Sequence, residues 1–332
     1  MSPAQGKAAL LFGRLPQQPG NDEQDVLVEA ATVGGALKDL GYPAVELPLT
    51  LDLRKASRRL RRLDPPFVFN LVVSLEGQDR LAHLAPALLD SLGLPYTGSP
   101  TEAMFITSNK LLAKERLRAA DIRTPPWARI EKAAAREPDF PPPYIVKSVW
   151  EHASIGLTGS AVAHDGQSLA EELRRRGSRG GTRTLFVEAY VEGREFNLAL
   201  LEGPDGLPQV LPPAEIEFRG YPEGKPRIVD YAAKWESGSM GFVQTPRRFD
   251  FPAKDEGLLE RLRGLCLQCW RLFGLRGYAR VDFRVDAGGE PWVLEVNTNP
   301  CLSPDAGFLA AAGRAGMSTA EVVRRIVEAA RS

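Results

Sequence analysis

The chain has 332 residues, of which 43% are hydrophobic and 25% are charged, a composition typical of a globular protein with a large core. Lys plus Arg (42) equal Asp plus Glu (42), so the chain lacks the excess positive charge on which nucleic-acid and membrane-surface binders depend. No apolar run approaches the roughly 20 residues of a membrane helix, and the N-terminal stretch MSPAQGKAALLFGRLPQQPG has no signal-peptide pattern. We therefore expect a cytoplasmic protein that binds neither nucleic acid nor membrane.

Apolar strands alternate with helical segments in the N-terminal part of the chain. The strand candidates are KAALLFG, AVELPL and FVFNLVV, and the helical segments are DVLVEAATVGGALKDLGY, LRKASRRLRRL and LAHLAPALLDSLGL. Such alternation predicts a parallel sheet with helices covering its faces.

The pattern changes after PYTGSP. TEAMFITSNKLLAKERLRAADI reads as one helix that ends at Pro125-Pro126, and DFPPPYIVKS, SLAEELRRR and RTLFVEAYV predict strand, helix and strand. EFNLALL, PQVLPPAEIEF and YARVDFRVDAGGEPWVLEVN follow as mostly antiparallel strands, and TAEVVRRIVEAA is a terminal helix. The chain should therefore combine an α/β layer at 1–103 with two α+β parts at 104–187 and 188–332.

Cys266 and Cys269 form a CxxC pair inside the helical pattern GLLERLRGLCLQCWRLFGL. No second cysteine pair exists to complete a tetrahedral zinc site, and the histidines His83, His152 and His164 lack metal-ligand spacing. We interpret the two cysteines as ordinary helix-packing residues.

ARVDFRV and EPWVLEVN, separated by DAGG, predict a β-hairpin. With 286–289 as the turn, Val285 faces Glu290, so that Arg280 lies opposite Glu295 and Asp282 lies diagonally beside it. Alternation predicts one core face, formed by Val281, Phe283, Leu294 and Val296.

The opposite face of the hairpin carries two carboxylates, Asp282 and Glu295, and the amide of Asn297. These are hard oxygen ligands that suit magnesium better than zinc. Magnesium completes its shell with water and phosphate oxygens, so this set predicts a nucleotide site. The alternative is an exposed, charged hairpin with no ligand.

Two further segments are typical of nucleotide binding. Lys147 ends a strand and precedes a small, flexible loop with Ser154, Gly156 and Gly159, which could hold phosphate oxygens, although neither GxxxxGK[ST] nor GxGxxG is present. A plain surface hairpin is the other interpretation of this loop.

The second segment is LFVEAYVEGREF, in which Glu188 ends a strand and Glu195 begins the next. Its apolar connection could hydrogen-bond an adenine through the backbone, and Glu195 could hold a ribose. Structural salt bridges would explain both acids equally well.

In this order, these elements resemble the ATP-grasp superfamily, and specifically the D-alanine–D-alanine ligases. The matching stretches are LGLPYTGS, SNKLLAKERLRAADIRTPPW, YIVKSVWEHASIGL, FVEAYVEGREF, YAAKW, GYARVDF, LEVNTNP and AAAGRAGMSTAEVVRRI. The resemblance runs from Leu10 to the C-terminus. It implies an ATP-grasp fold with an N-terminal Rossmann-like pre-ATP-grasp domain, a small central lid and a C-terminal antiparallel-sheet domain.

The resemblance also implies residue roles. ATP-binding residues would be Lys110, Lys147, Glu188, Ala189, Val191, Glu195 and Lys234. The ligands of two Mg²⁺ (or Mn²⁺) ions would be Asp282, Glu295 and Asn297. Catalytic candidates would be Arg280, which steadies an acyl phosphate, Asp25, which holds the ammonium of the first substrate, and Ser154.

The implied reaction joins two small amino acids for peptidoglycan synthesis. A substrate carboxylate attacks the γ-phosphate of ATP, and an amine then displaces phosphate from the acyl phosphate. Catalysis would rest mainly on positioning and on charge neutralisation. The family also implies a homodimer formed largely through the N-terminal part.

The departures from the family pattern lie around the amino-acid substrates. Ala153-Ser154 replaces a serine pair, Trp235 replaces a tyrosine, and Asp25 stands roughly where a glutamate is usual. Cys301 replaces a glycine, and the tail LSPDAGF, with Asp305, replaces the segment that receives the second amino acid. Cys301 and Asp305 are therefore substrate-binding candidates. Two alternatives remain open: a relative that joins other amino acids or carboxylates, and a nucleotide-binding module without catalysis.

Overall fold

The computed structural model describes residues 6–130, 138–151, 157–158, 161–177, 185–236 and 238–331. The N-terminal sheet has three parallel strands in the order β2-β1-β3: β1 (Ala8–Gly13), β2 (Ala44–Leu49) and β3 (Val68–Asn70). Its helices are α1 (Asn21–Asp39), α2 (Leu53–Leu63) and α3 (Leu84–Leu92). The predicted α/β layer is confirmed.

The helix predicted after PYTGSP is two helices, so this prediction is wrong. They are α4 (Thr101–Ser108) and α5 (Lys110–Ala119). Asn109, between them, has an extended backbone, and its side chain accepts hydrogen bonds from the amides of Leu111 and Leu112. An asparagine that caps the following helix in this way ends the preceding one.

The central sheet has four antiparallel strands in the order β4-β7-β5-β6: β4 (Trp127–Arg129), β5 (Tyr144–Ser148), β6 (Val162–Ala163) and β7 (Leu185–Ala189). Helix α6 (Gly166–Gly177) accompanies this sheet. The short strand β4 was not predicted, and β7 crosses the predicted boundary between 187 and 188.

The C-terminal sheet is antiparallel, in the order β11-β10-β8-β12-β13 with β9 beside β8. Its strands are β8 (Arg194–Glu202), β9 (Pro208–Val210), β10 (Ala214–Ile216), β11 (Arg247–Arg248), β12 (Tyr278–Val285) and β13 (Pro291–Asn297). The helices are α7 (Tyr231–Trp235), α8 (Met240–Val243), α9 (Glu256–Phe273), α10 (Gly307–Arg314) and α11 (Thr319–Arg331). No described helix is long and apolar enough to cross a membrane.

The terminal helices bring the two ends of the chain together. Val33 and Leu37 of α1 share one buried core with Val322 and Ile326 of α11. In α9, Cys266 and Cys269 are fully buried among other apolar residues, as predicted. This packing holds α1 beside the loop that follows β13.

The β12–β13 hairpin exists, but its predicted register is wrong. The turn spans Asp286 to Glu290: the Asp286 amide donates to the Glu290 carbonyl (3.1 Å), and Gly289 has a φ of +78°. A three-residue loop with glycine in the left-handed region adds a residue to the turn. As a result, Val285 pairs with Pro291 rather than with Glu290.

A second irregularity lies between Asp282 and Phe283, where β13 carries one extra residue, Leu294. A bulge of this kind reverses the side on which the following residues point. Val293 is therefore fully buried in the position expected for Leu294, whereas Leu294 lines a cavity. The prediction that Leu294 belongs to the core face is wrong for this reason.

Candidate active site

A cavity of about 410 Å³ is lined by residues from the central and C-terminal sheets. Every residue predicted to bind ATP lines it: Lys110, Lys147, Glu188, Ala189, Val191, Glu195 and Lys234. Arg280 and the predicted metal ligands line it too. The structure thus brings together residues that are up to 187 positions apart in the sequence, from Lys110 to Asn297.

The hairpin places the predicted metal ligands on one side. Asp282 lies directly opposite Glu295, and Arg280 lies directly opposite Asn297, so the predicted pairing of Arg280 with Glu295 is wrong. Asp282, Glu295 and Asn297 nevertheless stay on one face of the hairpin. The turn and the bulge together shift the pairing by two residues, and side chains alternate between the faces with a period of two. A directly opposed pair has its Cβ atoms about 5 Å apart, closer than the diagonal contact that was expected.

Asp282 is held by two neighbours. Arg280 donates from Nε to Oδ1 (2.7 Å) and from a terminal nitrogen to Oδ2 (2.9 Å), and Asn197 on β8 donates to Oδ1 (2.8 Å). Burial alone would lower the pKa of Arg280, but Asp282 and Glu295 hold that pKa above its usual range. Asn197 was not predicted, although it follows Glu195 by two residues in a strand and therefore faces the same side.

The donor set fits magnesium or manganese, because Asp282, Glu295 and Asn297 offer only carboxylate and amide oxygens. Among the described residues, no group of three or more His, Cys, Asp or Glu side chains is arranged so that it could hold a metal ion. A metal at this hairpin would therefore depend on oxygens supplied by a ligand or by water.

Two of the predicted phosphate lysines lie at one wall of the cavity. Lys110 Nζ donates to the carbonyl of Glu151 (2.5 Å), and Lys147 Nζ forms an ion pair with Glu188 (2.5 Å). Burial lowers the pKa of Lys110, and Lys147 adds to this effect. An anionic ligand would raise this pKa again.

The third predicted phosphate lysine, Lys234, comes from α7. Its Nζ lies 5.2 Å from the ring centroid of Trp235. Burial, and then the charge of Arg280, lower the pKa of Lys234. This lysine therefore also lies where an incoming anion would stabilise its positive charge.

Glu188 is a buried carboxylate that holds two lysines. Lys114 Nζ lies 2.6 Å from its Oε2, and Lys147 Nζ lies 2.5 Å from its Oε1. Burial alone would raise the pKa of Glu188, but the two lysines bring it below its usual range. Lys114 was not predicted, although it follows Lys110 by four residues and so lies on the same face of α5.

The connection between β7 and β8 forms another part of the wall. The amides of Ala189 and Tyr190 donate to the carbonyls of Pro126 (2.9 Å) and Pro143 (2.8 Å). Val191, the next residue, lines the cavity and has no hydrogen-bond partner within the described chain. Its backbone groups are available to a planar, hydrogen-bonding ligand such as a nucleobase.

Glu195, the predicted ribose ligand, forms an ion pair with Arg284 at 2.8 Å. Burial raises the pKa of Glu195, and Arg284 partly offsets that effect. Arg284 also donates to the carbonyls of Gly193 (3.0 Å) and Arg227. The structure thus contains both a salt bridge and a carboxylate that lines the cavity, so the two interpretations of Glu195 coexist.

The candidates for the amino-acid substrates lie beside the cavity rather than in its wall. Cys301 Sγ donates to Oδ2 of Asp25 (3.0 Å), and Ser303 Oγ donates to Oδ1 (2.8 Å). Nearby, the amide of Leu302 donates to Glu29 (2.7 Å), whose pKa is raised to about 8, mainly by burial. The structure thus brings Asp25 and Cys301 together, and they bind one another.

Asp305 contributes its backbone carbonyl, which accepts a hydrogen bond from Arg247 on β11 (2.9 Å). Arg247 lines the cavity and was not predicted; no motif of the sequence marks it. Ser154, Gly156 and Gly159 of the phosphate loop lie outside the described residues, and their predicted roles stay predictions.

Comparisons with known proteins show the family of this chain. Residues 117–328 match the family model for the D-ala D-ala ligase C-terminus. The chain is 31% identical to the D-alanine–D-alanine ligase of Moorella thermoacetica, over 98% of this chain and 99% of that protein. It is also 31% identical to the uncharacterized protein y4sG of Sinorhizobium fredii, over 96% of this chain and 92% of that protein.

A crystal structure of the D-alanine–D-alanine ligase of Bacillus anthracis, complexed with ATP, superposes with a TM-score of 0.75 at 22% identity. The match covers 98% of this chain and 97% of the other. Fold and site together define an ATP-grasp protein. Within that class, the chain belongs to the D-alanine–D-alanine ligase family.

Proposed function

We propose that this protein is an ATP- and magnesium-dependent ligase that joins two molecules of D-alanine through an acyl phosphate, the dipeptide then entering peptidoglycan synthesis. The observation that carries the proposal is the cavity itself, which is lined both by the lysines predicted to bind phosphate and by Asp282, Glu295 and Asn297. Membership of the family supports the same activity.

The protein's part in this reaction would be positioning and charge neutralisation. Lys110, Lys147 and Lys234 would bind the phosphates of ATP, and the Val191 backbone would bind the adenine. Arg280, which is held in place by Asp282, would stabilise the charge that develops as the amine attacks the acyl phosphate. Magnesium held by Asp282, Glu295 and Asn297 would neutralise the phosphate charge and orient the γ-phosphate.

A second candidate is a ligation of the same type with a different amino acid or carboxylate. It is favoured by the contact between Cys301 and Asp25, which occupies the carboxylate that would otherwise hold the ammonium of the first substrate. A site that must hydrogen-bond its substrate discriminates strongly against unmatched partners. A change in this contact therefore bears on the identity of the first amino acid.

Phosphate release, measured across a panel of D- and L-amino acids with mass detection of the products, separates these candidates. Turnover that depends on D-alanine and yields the dipeptide supports the first proposal. Turnover only with other amino acids or carboxylates supports the second candidate. ATP binding without turnover on any amine would contradict both and favour a non-catalytic nucleotide-binding module.

The homodimer belongs to this proposal as well. Leu27 and Val28 are each 48% exposed on α1, which is in the N-terminal part. Sedimentation velocity of the wild-type protein and of a Leu27→Glu/Val28→Glu variant tests this interface. A dimer that dissociates in the variant supports the proposal, and a wild-type monomer contradicts it.

A further inference from the structure

Arg247 lies on the short edge strand β11, and its side chain lines the reaction cavity together with Lys234, Arg280 and Gly307. The adjacent Arg248 makes ion pairs with Glu215 and with Glu217 (3.3 Å). Arg247, in contrast, has no carboxylate partner among the described residues. Arg248 therefore pairs with neighbouring carboxylates, whereas Arg247 faces the cavity.

The guanidinium of Arg247 is held in place by the backbone of the loop after β13. One terminal nitrogen donates to the carbonyl of Asp305 (2.9 Å). A Cβ atom on Gly307 would lie 3.2 Å from its Nε, so any side chain larger than hydrogen would crowd the guanidinium. Glycine at 307 therefore lets Arg247 approach the start of α10. The remaining guanidinium N–H groups are available to a ligand.

The charge around Arg247 favours an anion at this point. Desolvation and then the nearby charge of Arg280 lower the pKa of Arg247, although its side chain stays open to solvent at the cavity rim. Asp305 offers Arg247 its carbonyl, and the charge of the Asp305 carboxylate partly offsets these effects on the pKa of Arg247. Arg280 is already paired with Asp282, so an anion at this point would mainly meet the guanidinium of Arg247.

The ATP phosphates are not the best candidate for that anion. Two of the three lysines predicted to bind the phosphates, Lys110 and Lys147, contact Glu151 and Glu188 beside the central sheet. Arg247 instead contacts the 301–308 segment, where the family resemblance places the second substrate. In the proposed reaction, the first amino acid gives up its carboxylate charge to the acyl phosphate. The amine-donating amino acid keeps its carboxylate throughout.

We propose that Arg247, admitted by Gly307, binds the α-carboxylate of the amine-donating amino acid and thereby selects amino acids over simple amines. This inference rests on the proposed ligase function and specifies the second substrate by its chemistry. A guanidinium matches a carboxylate in geometry and in charge, and such charge-assisted pairs are among the stronger hydrogen bonds in proteins.

The test compares Arg247→Ala with the wild-type protein, using D-alanine as first substrate and either D-alanine or D-alaninamide as the amine. D-Alaninamide cannot be activated, because it has no carboxylate, so it reports only on the second site. We expect Arg247→Ala to raise the KM for the amine-donating D-alanine roughly 10- to 100-fold, since a charge-assisted hydrogen bond is lost. The KM for ATP should change less than about twofold, and the preference for D-alanine over D-alaninamide should largely disappear.

Two matched pairs of variants separate this effect from a loss of structure. Gly307→Ala should reproduce part of the rise in KM, because its Cβ displaces the guanidinium. Gly313→Ala, in the same helix and with nothing within 4 Å of the added Cβ, should leave KM unchanged. Arg314→Gln, an exposed arginine of α10 outside the cavity, is the control for lost charge.

An unchanged KM for D-alanine in Arg247→Ala, or a rise in the KM for ATP instead, would overturn the assignment. If the wild-type protein turns over with no amino acid, the ligase proposal fails by itself. The Arg247 assignment is then tested by binding. The Tm is measured with and without each amino acid of the panel, in the presence of a non-hydrolysable ATP analogue. A rise in the wild-type protein that Arg247→Ala lacks supports the assignment, and equal or absent rises overturn it.

Discussion

Asp282 lies directly opposite Glu295 on the β12–β13 hairpin, and both side chains face the cavity. Neutralising either carboxylate should remove nearly all ATP turnover, because a divalent ion would lose a charged ligand. We expect Asp282→Asn and Glu295→Gln to lower the rate of ADP release by at least about 100-fold, in chains that still fold.

Glu290→Gln is the control for this prediction. Glu290 lies at the turn of the same hairpin, where it pairs with Arg123 (3.1 Å) and Arg261 (3.3 Å) outside the cavity. This variant should retain full turnover. Unchanged ADP release in Asp282→Asn or in Glu295→Gln would contradict the metal assignment.

The hairpin also illustrates how far the sequence alone specifies the site. Alternation placed Asp282, Glu295 and Asn297 on one face, and all seven residues that the family resemblance named for ATP line the cavity. The register was wrong because a left-handed glycine in the turn and a bulge at Leu294 depend on backbone geometry that alternation does not encode.

Other features depend on contacts between distant residues. Cys301 and Asp25 are 276 positions apart, and they meet because α1 and the loop after β13 pack into the same core. The break between α4 and α5 depends on the side-chain cap of Asn109, which outweighs an otherwise continuous helical pattern. Arg247 carries no motif, because its position follows from the fold of the chain around it.

Lys114 is almost completely buried and makes an ion pair with Glu188, so its removal should destabilise the protein. Lys114→Met leaves the buried Glu188 with Lys147 as its single described cation. Breaking a buried pair from one side costs about 3–5 kcal/mol. We expect a loss of this size in the free energy of unfolding, measured in urea.

The comparison for this variant is Arg129→Gln, which removes an exposed ion pair with Glu115 (2.7 Å) near the same sheet. That change should cost less than about 1 kcal/mol, because water screens the pair. Equal losses in the two variants would mean that Lys114 adds nothing beyond a surface contact.

Glu29 should make the protein less stable as the pH rises. Its pKa is about 8 in the folded chain, against an ordinary value of 4.5, mainly because of burial. Between these values the folded state holds a proton that the unfolded chain releases, so stability falls from pH about 4.5 to about 8 and then levels off.

Glu29→Gln removes this dependence while keeping an oxygen that accepts from the amide of Leu302. Its Tm should exceed that of the wild-type protein at pH 8.5, where its free energy of unfolding should be higher by at least about 1 kcal/mol. The difference in Tm should shrink towards pH 5. A difference in Tm that does not vary with pH would rule out the protonated Glu29.

All three cysteines should resist alkylation in the native protein at pH 8. Burial raises the pKa of Cys266 and Cys269, and it raises that of Cys301 with further contributions from Glu29 and Asp25. Iodoacetamide reacts with the thiolate, so a raised pKa slows the reaction. Mass spectrometry should find no modification until guanidinium unfolds the chain.

Asp25→Asn should speed the modification of Cys301, because it removes a negative charge and the acceptor that holds the thiol proton. Rapid modification of Cys301 in the native wild-type protein would contradict the hydrogen bond between this thiol and Asp25.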